Sequence, residues 1–76
     1  MIVNGYKIEP NANLSNAYLS GLDLSYANLM GANLTGAKLV GTNFTGASLM
    51  DTVWDDADAS QANFTNACLV MITANN

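Results

Sequence analysis

Histidine is absent from this 76-residue chain, and cysteine and proline occur once each, as Cys68 and Pro10. Without histidine the chain lacks the commonest metal ligand and the usual general base near neutral pH. A lone cysteine excludes an internal disulfide framework and any zinc site built on thiolates. Cys68 has nothing to activate it, and no serine stands near a candidate base, so no nucleophile–base pair can form and no enzymatic activity is expected. No cofactor, metal or small-molecule substrate is expected either. Basic residues are nearly as scarce: Lys7 and Lys38 stand against six acids, for a formal net charge of −4. That balance supplies no positive field to hold nucleic acid or an anionic membrane surface. No apolar run approaches the ~20 residues of a membrane-spanning helix. No basic segment followed by an apolar one opens the chain as a leader, so a cytoplasmic location is expected.

Half of the residues are apolar but only 8% are aromatic, a poor basis for a globule built around large irregular side chains. A chain this short removes only about 60% of its unfolded surface on folding, so one domain is the ceiling and regular repetition must supply the stability. Such repetition is present, with a period of five. Starting from Leu14, one slot recurs at Leu19, Leu24, Leu29, Leu34, Leu39, Phe44, Leu49, Trp54, Ala59, Phe64, Leu69 and Ala74. Eleven of these thirteen residues are large and apolar. Two positions earlier runs a mostly small series, Ala12, Ala17, Leu22, Ala27, Ala32, Ala37, Thr42, Ala47, Thr52, Ala57, Ala62, Ala67 and Ile72. The other slots are rich in Asn, Asp, Ser, Thr and Gly.

A period of five matches neither a straight amphipathic helix nor an alternating strand. The chain must turn once per repeat. A coil with one pentad per side sends the large and small series inward and the polar slots outward. Stacking such coils at the ~4.8 Å strand spacing pairs their backbone amides. Disorder would not hold every large apolar residue in phase. A hexapeptide helix has the wrong period, and a calcium-binding roll needs glycine–aspartate nonapeptides that are absent.

Units such as Ala32-Asn33-Leu34-Thr35-Gly36 and Ala62-Asn63-Phe64-Thr65-Asn66 resemble the A(D/N)LXX unit of pentapeptide-repeat proteins, and the resemblance runs from residue 12 to residue 76. It implies an all-β fold, a right-handed quadrilateral β-helix with four pentads per coil and about three coils. Residues twenty apart then stack in the ladders Leu14-Leu34-Trp54-Ala74, Leu19-Leu39-Ala59, Leu24-Phe44-Phe64 and Leu29-Leu49-Leu69. Ala59 beside the oversized Trp54 reads as volume compensation, so Ala59→Leu is expected to overpack its layer. Gly21, Gly31, Gly36, Gly41 and Gly46 close five pentads, where positive φ is available at a corner. Tyr26, Gln61 and Met71 occupy the same slot, so positive φ is not expected to be obligatory there. Thr42 and Thr52, in the inward small slot, need hydroxyl partners, for which backbone carbonyls are the nearest candidates.

Two segments divide the chain. Residues 1–11 carry Asn4-Gly5 between apolar flanks, a hairpin signature, and then Pro10, which redirects the chain; they read as an N-terminal cap. Residues 12–76 form the thirteen pentads, which end with no matching cap at Ile72-Thr73-Ala74-Asn75-Asn76. An open coil invites pairing with a second copy or another protein.

Two surface groups stand out. Met30, Met50 and Val70 follow the central residue on one face, adjoined by Cys68, which is expected to be exposed, and by Met71. Together with Ile72 in the last pentad they are the candidate partner contacts, because methionine suits adaptable contacts. Asp51, Asp55, Asp56 and Asp58 form a candidate acidic patch, although their spacing matches no calcium loop. The expected function is a non-catalytic structural or protein-interaction scaffold that binds another protein or a second copy of itself. The resemblance raises an alternative, since some family members protect DNA gyrase by imitating duplex DNA. Three coils span roughly 15 Å, and duplex DNA carries a charge every ~1.7 Å, so a mimic of that length needs about nine negative charges. The net charge here is −4.

Overall fold

Each pentad turns the chain by the same local device. In most pentads the carbonyl of the central residue accepts from the amide three positions on, as in Leu14 O from Ala17 N at 3.1 Å, Leu34 O from Ala37 N at 3.0 Å and Phe44 O from Ala47 N at 2.9 Å; at Leu49 O the donor is the Thr52 hydroxyl instead. The third residue of each turn has positive φ, the signature of a type II turn. In the computed structural model, which describes residues 1–74, this holds at every corner from Asn11 to Met71. The corner glycines lie at φ 67 to 77, and the other corner residues at φ 59 to 64.

The expectation that positive φ is dispensable at the non-glycine corners is therefore corrected. Tyr26, Gln61 and Met71 all adopt it, at φ 62, 60 and 61. Turn geometry dictates the backbone whatever the side chain, at ~1–2 kcal/mol for a non-glycine residue. The hydrogen bonds of the corner amides to the next coil, such as Tyr26 N to Thr45 O at 2.8 Å, offset that strain. The polar slot before each central residue also serves the turn. Asn33 Oδ1 accepts from Thr35 N at 3.0 Å and from Thr35 Oγ1 at 2.6 Å. Asn13, Asp23, Asn43, Asp58 and Asn63 bond in the same way to the Ser or Thr two positions on. Such Asx turns explain why Asn and Asp recur there.

Nine parallel bridges join residues twenty positions apart, in four columns: Asn13-Asn33-Val53-Thr73, Tyr18-Lys38-Asp58, Asp23-Asn43-Asn63 and Asn28-Ser48-Cys68. The chain thus passes over itself every four pentads. Leu14, Leu19, Leu24, Leu29, Leu34, Leu39, Phe44 and Leu49 are buried in the middle, each contributing roughly 1.5–3 kcal/mol. Thr42 and Thr52 are buried with them, and their hydroxyls donate to Leu19 O and Leu49 O, both at 2.7 Å. No buried side-chain nitrogen or oxygen among the described residues lacks a partner.

A two-stranded ribbon precedes the coils, formed by β1 (Ile2–Val3) and β2 (Tyr6–Lys7). Asn4 and Gly5 turn it with φ 52 and 82, as a two-residue hairpin of twisted strands requires. Ile2 pairs with Lys7 and Val3 with Tyr6. Val3 and Tyr6 pack on the core, and Ile8 is buried beneath them.

The other end is different. Ala57, Ala59, Ala62, Phe64 and Ala67 are half-buried, and Leu69, expected to face inward within its ladder, is 45% exposed. No further coil among the described residues covers it. Ala74 is exposed for the same reason, and Asn75 and Asn76, the last positions of the expected repeat, lie outside the described residues. The described residues contain no helix, hence none long and apolar enough to cross a membrane.

Candidate functional site

From Met30 onward, the slot after the central residue points its backbone carbonyl at the corner amide one coil earlier. Asn11 N donates to Met30 O, Gly31 N to Met50 O and Asp51 N to Val70 O, at 2.8, 2.8 and 3.1 Å. These bonds place Met30, Met50 and Val70 in one column, where they are 41%, 36% and 54% exposed. Met71 is exposed at the following corner, whereas Ile72 is half-buried against the core. Cys68, expected to be exposed, is half-buried, because Ser48 stands beside it in the preceding coil.

The four aspartates of the candidate acidic patch occupy different positions on the coil. Asp51 and Asp56 are corner residues at φ 61. Asp58 stands in the Tyr18-Lys38 column, and Asp55 O accepts from Gly36 N at 2.8 Å. Among the described residues, no three acidic or cysteine side chains converge as a metal site would require. Asp58 is instead tied locally. The Ser60 hydroxyl, then the Ser60 amide, hold its carboxyl below the usual aspartate range, with a small further contribution from Lys38. Ser25 does the same to Asp23.

At the open end, the sequence points to an uncapped last coil and to Ile72, but not to the cavity there or to its other lining residues. Trp54, Ala57, Phe64, Leu69, Ile72 and Ala74 line a cavity of about 380 Å³. Its floor is an aromatic cluster: Phe44 and Phe64 stack with centroids 5.3 Å apart, and Trp54 meets both edge-on at 5.7 and 5.8 Å. Trp54 Nε1 donates to Thr52 Oγ1 at 2.7 Å, so the one polar group of that indole is already satisfied. The cavity was legible in principle, because Phe64 and Leu69 are the last members of their ladders. The exposure of Tyr18, Tyr26 and Val40 follows from their outward slots, although their residue types argue against it.

Among the described residues, parallel bridges at one fixed spacing, turns of one type and the absence of any helix define an all-β coil with an apolar interior. A family model described as pentapeptide repeats matches residues 12–51 in eight copies, and the chain belongs to that family. The repeat implies a β-helix. No curated protein sequence matches the chain significantly.

Proposed function

We propose that the chain is a non-catalytic scaffold that binds another protein through the Met30-Met50-Val70 column, working in the cytoplasm. The fold that presents this column is a right-handed quadrilateral β-helix of about three coils, with residues 1–11 as its cap. One observation carries the reading: three exposed apolar side chains share one column, whereas the same slot on the other faces holds Ser, Thr or Asp everywhere except Val40. Isolated surface hydrophobes are ordinary, whereas a contiguous apolar strip rimmed by polar residues is a mark of protein contact. Met71 extends the strip around the corner.

The test compares the wild type with the triple variant Met30→Thr, Met50→Thr, Val70→Thr as baits in native extract. Threonine already fills this slot at Thr35, Thr45 and Thr65, so the variant should melt within a few degrees of the wild type. Proteins enriched by the wild type should be lost from the variant. An identical captured set for both baits would sink the proposal.

A further inference from the structure

The two ends of the molecule are complementary to one another. In β1 and β2, Val3 and Tyr6 turn toward the core. Alternation along a strand therefore puts their neighbours on the opposite face. Those neighbours are Ile2 and Lys7, which are paired across the ribbon and both exposed, Ile2 at 68%. The head of the coil thus presents an aliphatic knob beside a cation. The tail presents the apolar cavity, and one side of its lining is acidic: Asp55, Asp56 and Asp58 lie between and beside Trp54 and Ala57, whereas the residues between Phe64 and Ala74 carry no charge.

We propose that this cavity receives the Ile2–Lys7 face of a second copy, so that molecules stack head to tail. Charge decides the occupant. A tail-to-tail pair sets the aspartates of one copy against those of the other, and a head-to-head pair sets Lys7 against Lys7 with two knobs and no cavity; like charges across an interface are disfavoured. Only the head-to-tail joint brings Lys7 to the aspartates and Ile2 to the cavity. Glu9 near the head and Lys38 beside Asp58 reduce the contrast without reversing it. A small polar ligand fits the cavity poorly, because the lining offers few polar groups and the Trp54 indole is already bonded. The joint is heterologous, so the same surfaces remain free at both ends of any stack, and assembly proceeds to open rods.

The area sets the strength. The molecule is 25 × 24 × 23 Å, so one end-on joint buries at most roughly 1,000 Å² in total, the lower edge of stable interfaces. Association is therefore weak, with dissociation constants of tens to hundreds of micromolar, and added salt weakens it. This surface is distinct from the Met30 column, and the threonine triple variant should stack as the wild type does.

Sedimentation equilibrium over that concentration range provides the test, on Lys7→Asp, on Ile2→Ser and on the double variant Asp56→Lys, Asp58→Asn. The corner of Asp56 already accommodates Gln61 and Met71 elsewhere, and asparagine fills the Asp58 slot in other pentads, so the double variant keeps the fold. Each variant alone should lose association by about tenfold or more, as truncating one side of a complementary charge contact does. An equimolar mixture of Lys7→Asp with the double variant should associate again, which a misfolded variant could not do. Wild type that stays monomeric at several hundred micromolar overturns the proposal. Association that survives Lys7→Asp and Ile2→Ser also overturns it, because the head is then not in the joint.

Discussion

At Gly46 an added methyl group would meet the ring of Tyr26, one coil away, with Cε1 at 2.5 Å and Cδ1 at 2.6 Å. At Gly41 the same methyl group meets nothing within 4 Å. Both positions have positive φ, so both alanine variants carry the same backbone strain, ~1–2 kcal/mol, and only Gly46→Ala must also displace the ring. Gly46→Ala is expected to lower the melting temperature more than Gly41→Ala, and Tyr26→Ser should abolish the difference. Gly41→Asn should cost least of all, since asparagine tolerates this conformation.

Aspartate chemistry belongs to the same scale. The lowered carboxyls of Asp23 and Asp58 contribute stability above the ordinary aspartate pKa of ~3.9 and lose it as pH falls through their lowered values. Ser25→Ala and Ser60→Ala remove the first cause of each shift. Titration followed by carboxyl NMR should move Asp23 and Asp58 back up toward the ordinary value, and an unchanged titration would dismiss the hydroxyls as the cause.

The turn and the inner layer are the elements that matter most. Thr52 is buried, donates to Leu49 O and accepts from Trp54 Nε1. Thr52→Val keeps the shape but orphans both partners, so a loss of ~1–3 kcal/mol is expected, with a change in Trp54 fluorescence. Ala59→Leu is a different case. The sequence pattern predicts overpacking, but Ala59 lies half-buried in a coil that no later one among the described residues covers. A leucine there is expected to extend toward the uncovered side, and the variant should melt at or above the wild-type temperature.

These two sites show how far the sequence is legible. The inward ladders, the Asn-Gly turn and the need of Thr42 and Thr52 for carbonyl partners all follow from slot and period. The uniform positive φ does not, because residue identity at Tyr26, Gln61 and Met71 argues against it and only the turn geometry overrides that preference. The end cavity is half legible: the ladders end at Phe64 and Leu69, but no slot pattern tells that the last pentad leaves a hollow beside Trp54.

At the scale of the whole molecule, each coil touches only its neighbours, and stability is close to a sum over layers and the contacts between them. Among the described residues, the coil of Leu34, Leu39 and Phe44 is covered on both sides, whereas the coil of Ala59, Phe64 and Leu69 is covered on one. Amide exchange should therefore be slowest at Leu34, Leu39 and Phe44 and fastest from Ala57 onward, with the ribbon in between. Stacking into rods would slow exchange at the tail selectively as concentration rises, so the gradient along the chain doubles as a readout of the head-to-tail joint.

The fixed offset of twenty between bridged residues also governs how this protein can change length. Excising residues 34–53 removes one complete lap, sets Trp54 beneath Leu14 in the place of Leu34 and leaves every wall in phase. Excising residues 37–41 preserves the five-residue rhythm but shifts all that follows by one column, setting Phe44 under Leu19 instead of Leu24. The whole mismatch is confined to one seam, because everything downstream shifts together. Growth and loss in such a molecule are quantised twice, once by the pentad for folding and once by the lap for fit.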